Sequence, residues 1–132
     1  MSRAEVERLL DDVFDGALLT HGFDDHARDY VMEFERMDGQ RVRYAFRHCV
    51  SARVTTALSP AIWARSLDPA AEPGDYVWGV RWQCVYPGGS VVEPSEEAAR
   101  WSAEVGVPFT EVRIEANAHV VELVFTTLEV VA

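Results

Sequence analysis

Between Tyr30 and Val50 the chain reads YVMEFERMDGQRVRYAFRHCV, with large apolar side chains alternating with charged ones on both sides of an Asp-Gly pair. Period-two alternation belongs to strands with one buried face. Gly39 tolerates the positive φ of a tight turn, so the stretch predicts a β-hairpin over 30–37 and 41–50. Its register can be tested, because residues opposite one another share a face. A two-residue loop at Asp38-Gly39 would set Phe34 against Arg43 and Glu35 against Val42, which mixes the faces. A three-residue loop, Met37-Asp38-Gly39, with Gly39 left-handed in a bulge, sets Glu35 against Arg41, Glu33 against Arg43 and Asp29 against Arg47. The other face then carries Phe34–Val42, Met32–Tyr44 and Tyr30–Phe46. Every pair matches in character, so the second register is expected. Each exposed ion pair is worth only about 0–1 kcal/mol. Their use is in specificity, since a one-residue slip would turn every side chain to the wrong face. Continued alternation places His48 with Val42, Tyr44 and Phe46 at the end of the apolar row, and Cys49 on the arginine face.

The rest of the chain supplies a consistent outline. Ser2-Arg3-Ala4-Glu5 has the form of a capping box. Val6, Leu9, Leu10, Val13 and Phe14 follow at helical spacing, and Gly16 suits a C-terminal cap. Residues 21–29, HGFDDHARD, read as a polar connector. The second strand continues through SARVTTAL. Ser59 and Pro60 open a short helix at SPAIWARSL. DPAAEPGD (68–75) reads as a surface loop. YVWGVRWQCVY (76–86) alternates again, with Trp78, Trp82 and Cys84 on one face, and PGG ends that strand. PSEEAARWSAEVG is a helix with acids in its first turn, an apolar stripe at Ala98, Trp101 and Val105, and Gly106 to stop it. For residues 109–131 a tight turn at Asn117-Ala118 would pair Ile114–Val121, Val112–Leu123 and Arg113–Glu122; one long bent strand is the alternative. These elements predict an α+β fold in a single domain over 1–132. It is an antiparallel sheet of about five strands with two or three helices packed on one face.

Chemistry-bearing residues are sparse. His21, Asp24, Asp25 and His26 include zinc-compatible types, but their spacing matches no standard motif and a connector offers no fixed geometry, so no metal and no cofactor is expected. Cys49 and Cys84 fall on opposite faces, which forbids a disulfide and predicts two free thiols. His48 and Cys49 are neighbours on opposite faces, a poor nucleophile pair. No GxSxG, P-loop, GxGxxG or HExxH occurs. YPGGS lacks the lysine and helix of a phosphate loop. Four tryptophans are expected to seal helices to the sheet; an aromatic-walled pocket is the alternative.

Charge narrows the partners. Twenty-two acidic residues against twelve basic ones give a formal net charge of −10. That disfavours nucleic acid and anionic membranes and favours a basic partner. The acidic start MSRAEVERLLDDVFDG is unlike a signal peptide, and no apolar run approaches a membrane span, so a cytoplasmic protein is expected.

HGFDDHARDY, YAFRHCVSARV, SPAIW and RIEANAHVVELVF together resemble the YxiG-like family of small uncharacterised bacterial proteins. The resemblance covers most of the chain. It implies a small bacterial cytoplasmic protein and transfers no catalytic or binding residues. Two function classes follow from the residues. One is a non-catalytic interaction module, for instance an immunity-type protein that neutralises a basic toxin, with Asp11, Asp12 and Asp15 in its binding surface. The other is a small-molecule binder or enzyme that uses Trp78 and Trp82 with His48 or His119.

Overall fold

In the computed structural model, residues 1–68 and 83–131 are described. They form α1 (Arg3–Asp12), β1 (Ala17–Phe23), β2 (Tyr30–Glu35), β3 (Arg41–Arg47), β4 (Ser51–Thr56), α2 (Pro60–Ser66), β5 (Gln83–Cys84), β6 (Gly88–Val92), α3 (Glu96–Val105), β7 (Thr110–Glu115), β8 (His119–Phe125) and β9 (Thr127–Val131). The class is α+β and all strand pairing is antiparallel. The strands divide between two sheets, β5-β1-β2-β3-β9 and β4-β8-β7-β6, rather than gathering in one of about five.

Both hairpin registers match their sequence expectation. Tyr30–Phe46, Met32–Tyr44, Phe34–Val42, Glu33–Arg43 and Glu35–Arg41 are all partners across β2 and β3. Gly39 has φ 83°, and Arg36 N–H donates to Gln40 O across the three-residue loop. In the second hairpin Ile114 faces Val121, Val112 faces Leu123 and Arg113 faces Glu122. Ala116 N–H closes the two-residue turn on His119 O at 2.9 Å.

The chain first changes sheet between β3 and β4, at a bend. His48 has φ 50°, a left-handed conformation rare outside glycine. It breaks the alternation, so the expectation for 48 and 49 inverts: His48 is exposed and Cys49 joins the core. SARVTT therefore does not extend β3; it becomes β4 and pairs with β8 in the other sheet. The return crossing at Thr126, between β8 and β9, lies alongside. Thr126 N–H and its hydroxyl both donate to Arg47 O, at 2.9 and 3.0 Å. With that hydroxyl proton committed, His48 Nδ1–H is the donor to Thr126 Oγ1 at 2.9 Å. Asp29 fastens the same corner. Its Oδ1 accepts the His48 N–H at 3.0 Å and its Oδ2 accepts from Arg47 Nη1 at 2.9 Å.

The inner faces meet in one core. Tyr30, Met32, Phe34, Tyr44 and Phe46 of the first sheet join Val112, Ile114, Val121, Leu123 and Phe125 of the second. Phe46 and Phe125 touch edge to face, with centroids 5.0 Å apart. Helix α1, with its capping box in place, adds Val6, Leu9, Leu10 and Val13. Buried Tyr44 pins it by donating to Leu9 O at 2.6 Å. β5 ends before PGG, as expected, but Gly88 and Gly89 also open β6 beneath the helix. A Cβ on Gly89 would lie 3.2 Å from Leu10 Cβ and one on Gly88 3.0 Å from the Phe14 ring. Gly16 serves close approach rather than the helix cap, since a Cβ there would sit 2.6 Å from Glu35 O.

Helix α3 lies against β7 and β8, on the Glu111 face opposite the core. Ser95 caps it and donates to Glu111 Oε1 at 2.6 Å. Ala98 is buried beneath it, while Val105, expected in the same apolar stripe, is 53% exposed. The helices thus do not share a face, and none of the residues of α2 is fully buried. Strand β1 had no signal of its own, because ALLTHGF mixes apolar residues with a bulge at Leu19. It takes the first three residues of the expected 21–29 connector. The surface loop at 68–75 and most of the 76–86 strand lie outside the described residues.

Burial works to raise the pKa of Asp29. The His48 and Arg47 hydrogen bonds and the Arg28 and Arg47 charges outweigh it and hold the carboxyl below its ordinary 3.8. Its stabilising effect is full above that value and is lost as pH falls below it. Asp29→Ala should cost about 2–3 kcal/mol at pH 7 by chemical denaturation. The difference from wild type should shrink progressively between pH 4 and pH 2.

Candidate functional site

The turn of the β7–β8 hairpin docks on β5. Asn117 N–H donates to Cys84 O at 3.0 Å, and Cys84 N–H donates to Asn117 Oδ1 at 3.1 Å. That docking carries His119, on the inner side of β8, towards β1. There His21 occupies the inner side of the facing sheet, opposite Met32. Burial first, and then the charge of His119, lowers the pKa of His21 from 6.5. His21 Nδ1 lies 2.7 Å from the Tyr30 hydroxyl. Burial, with Cys49 nearby, raises the Tyr30 pKa. His119 Nδ1 is buried without a hydrogen-bond partner. Two histidines, a tyrosine and a thiol therefore line the seam between the sheets, and one of their polar atoms is unsatisfied.

This seam does not assemble a nucleophile. Burial pushes the Cys49 thiol up to about 11, and its Sγ–H is spent on Ser51 O at 3.2 Å. Cys84 is also raised, by burial and by its hydrogen bond to Asp15. Both cysteines are free thiols. A thiol held protonated is a weak nucleophile. No group of three or more His, Cys, Asp or Glu side chains that could hold a metal occurs among the described residues. Asp24 of the connector is occupied otherwise. Its Oδ1 accepts from the N–H groups of His26, Arg28 and Asp29 and shapes the loop.

Of the residues singled out from sequence, His119 reaches the seam. His48 does not: it is the exposed corner residue between the sheets, turned away by its left-handed backbone. Trp78 and Trp82 lie outside the described residues. Trp63 donates from Nε1 to Thr56 Oγ1 at 2.7 Å, and Trp101 stacks obliquely near Phe109. His21 and Tyr30 went unrecognised as site residues because their partner, His119, is nearly a hundred positions away in sequence.

The acidic candidates cluster at the end of α1. Asp11 and Asp12 occupy its last turn, where the helix dipole disfavours negative charge, and that turn holds no basic residue. Asp12 has Arg8 at 3.9 Å; among the described residues Asp11 has no arginine within ion-pairing distance. Asp15 is tied into the structure, with φ 61°, its N–H on Val85 O and its carboxylate accepting from Cys84 Sγ at 3.2 Å. Elsewhere much of the basic charge is consumed. Arg47 pairs with Asp29 and Glu129, Arg53 with Glu111 and Glu122, and Arg113 with Glu115 and Glu122.

These features define a small α+β domain of two packed antiparallel sheets with a polar seam and an acidic helix end. No helix among the described residues is long and apolar enough to cross a membrane. The chain belongs to the YxiG-like protein family, whose pattern matches residues 2–132. In fold it is similar to a solved structure of an uncharacterised protein from Neisseria gonorrhoeae, with a TM-score of 0.52 and 8% identity over 90% of this chain and 92% of that one. Comparison with curated proteins finds no match.

Because the fold disfavours the charged form of His21, its contribution to stability is full above 6.5 and declines as pH falls below that value. His21→Gln keeps a hydrogen-bonding partner for Tyr30 and removes the titration. The melting temperature of the wild type should fall by a few degrees between pH 7.5 and 5.5, and that of the variant by measurably less.

Proposed function

We propose that the protein is a non-catalytic binding module that engages a basic partner through the acidic end of α1. The observation that carries this reading is the pair Asp11 and Asp12. They sit where a helix is destabilised by negative charge, typically by about 0.3–1 kcal/mol each at low salt. A position that costs stability is explained if the charge serves recognition. The net charge of −10 points the same way, and it argues against nucleic acid or an anionic membrane as partner. We read the protein as cytoplasmic, consistent with two free thiols.

A second reading rests on a separate observation, the buried and unsatisfied His119 Nδ1. In it the seam formed by His119, His21 and Tyr30 holds an uncharged polar ligand that supplies the missing hydrogen bond.

The two readings part on one variant. Asp11→Lys should raise the melting temperature by about 1–3 °C through the helix dipole. It should also slow association with a basic partner several-fold, as measured by surface-immobilised kinetics after capture of that partner from the source lysate. Association should slow further as salt rises, with dissociation little changed. An on-rate indifferent to Asp11→Lys and to salt would overturn the acidic-surface reading.

A further inference from the structure

Arg36, Arg41 and Arg43 line a hollow of about 440 Å³ where the β2–β3 hairpin meets β9, together with Glu33, Val42, Val130 and Val131. All twelve cations of the chain are arginines. Several others are held close by carboxylates: Arg3 at 2.6 and 2.8 Å, Arg47 at 2.9 Å and Arg113 at 2.7 Å. The three in the hollow are not. Arg43 lies 3.9 Å from Glu33, and Arg36 lies 3.8 Å from Asp38, with its buried Nε lacking a hydrogen-bond partner. Arg41 faces Glu35 in the register, yet among the described residues no carboxylate comes within ion-pairing distance of it. A molecule of strong negative charge thus concentrates under-neutralised guanidinium groups around one concavity. The hollow also has an apolar side, since Val130 is 54% exposed and Val42 and Val131 are partly so.

We propose that this hollow binds a small carboxylate carried on an aliphatic body. The planar fork of arginine matches a carboxylate with two parallel hydrogen bonds. Arg41 and Arg43 supply that grip, and the hydrocarbon covers Val130 and Val131. Inorganic phosphate fits less well. It has no apolar part, and its second charge would meet Glu33 and the overall negative field. The carboxylate could belong to a free aliphatic acid or to the C-terminus of a peptide.

The test is an NMR titration of the ¹⁵N-labelled protein at neutral pH and low salt. The probes are octanoate, acetate, octanamide, inorganic phosphate and the peptide acetyl-Val-Val. Octanoate should bind saturably and shift the amides of Arg41, Arg43, Val130 and Val131, while octanamide should leave them in place and phosphate should shift them only weakly. Arg41→Gln should weaken octanoate binding about tenfold with an otherwise unchanged spectrum. Val130→Ser should weaken octanoate but leave acetate unaffected. Tighter binding of acetyl-Val-Val than of octanoate would assign the carboxylate to a peptide terminus; the reverse order would assign it to a free acid. Octanamide binding as well as octanoate, phosphate binding better than both acids, an unaffected Arg41→Gln variant, or shifts confined to another region would each overturn the proposal.

Discussion

The corner at Asp29, Arg47, His48 and Thr126 is the constraint on which the two-sheet architecture depends. Two of the chain's crossings between the sheets, β3 to β4 and β8 to β9, run through it. The first, at His48, needs a backbone turn that side chains other than glycine rarely adopt. The second, at Thr126, leans on the carbonyl of Arg47 through both its N–H and its hydroxyl. Asp29 supplies a buried carboxylate that satisfies the turned N–H and neutralises Arg47 at once. Without it, the first crossing would leave a strained residue with an unpaired donor next to the core. The corner also explains why a histidine at the end of an apolar row is structural rather than chemical.

Once the sheets are set face to face, the core and the helix follow from fit. Tyr44 spans the gap from sheet to helix, and desolvation of its hydroxyl pushes its pKa up to about 12. Gly88 and Gly89 let α1 approach β6 more closely than side chains would allow. The same packing brings the hairpin turn at Asn117 onto β5 and so creates the polar seam of His21, Tyr30 and His119. The seam is a consequence of topology: its members come from β1, β2 and β8, which belong to different sheets.

The charge distribution has two poles of different character. At the end of α1, negative charge stands where the helix dipole opposes it. In the β3–β9 hollow, arginines stand without close counter-ions. Between them, Arg47, Arg53 and Arg113 are bound into pairs that tie strands together. Closely paired arginines on strand faces serve register, a role the loosely paired or unpaired charges at the two poles do not have.

What the sequence determined by itself was local pairing. The alternation around Asp38-Gly39 and the matched charges opposite it set one hairpin register, and Val112, Ile114, Val121 and Leu123 set the other, because a slip by one residue would bury charge and expose the core. The helix caps at Ser2 and Ser59 were equally readable, since each is a short-range hydrogen bond. What only the tertiary structure decided was where the chain changes sheet. Nothing in the RHCVSA stretch marks His48 as left-handed; the turn is stabilised by Asp29 and Thr126, which lie far from it in the chain. That one dihedral exchanged the faces of His48 and Cys49 and sent SARVTT, expected to extend β3, into the other sheet as β4. It also decided which histidine could face a site, because a residue's face in a strand is local, but the surface it meets is set by long-range packing.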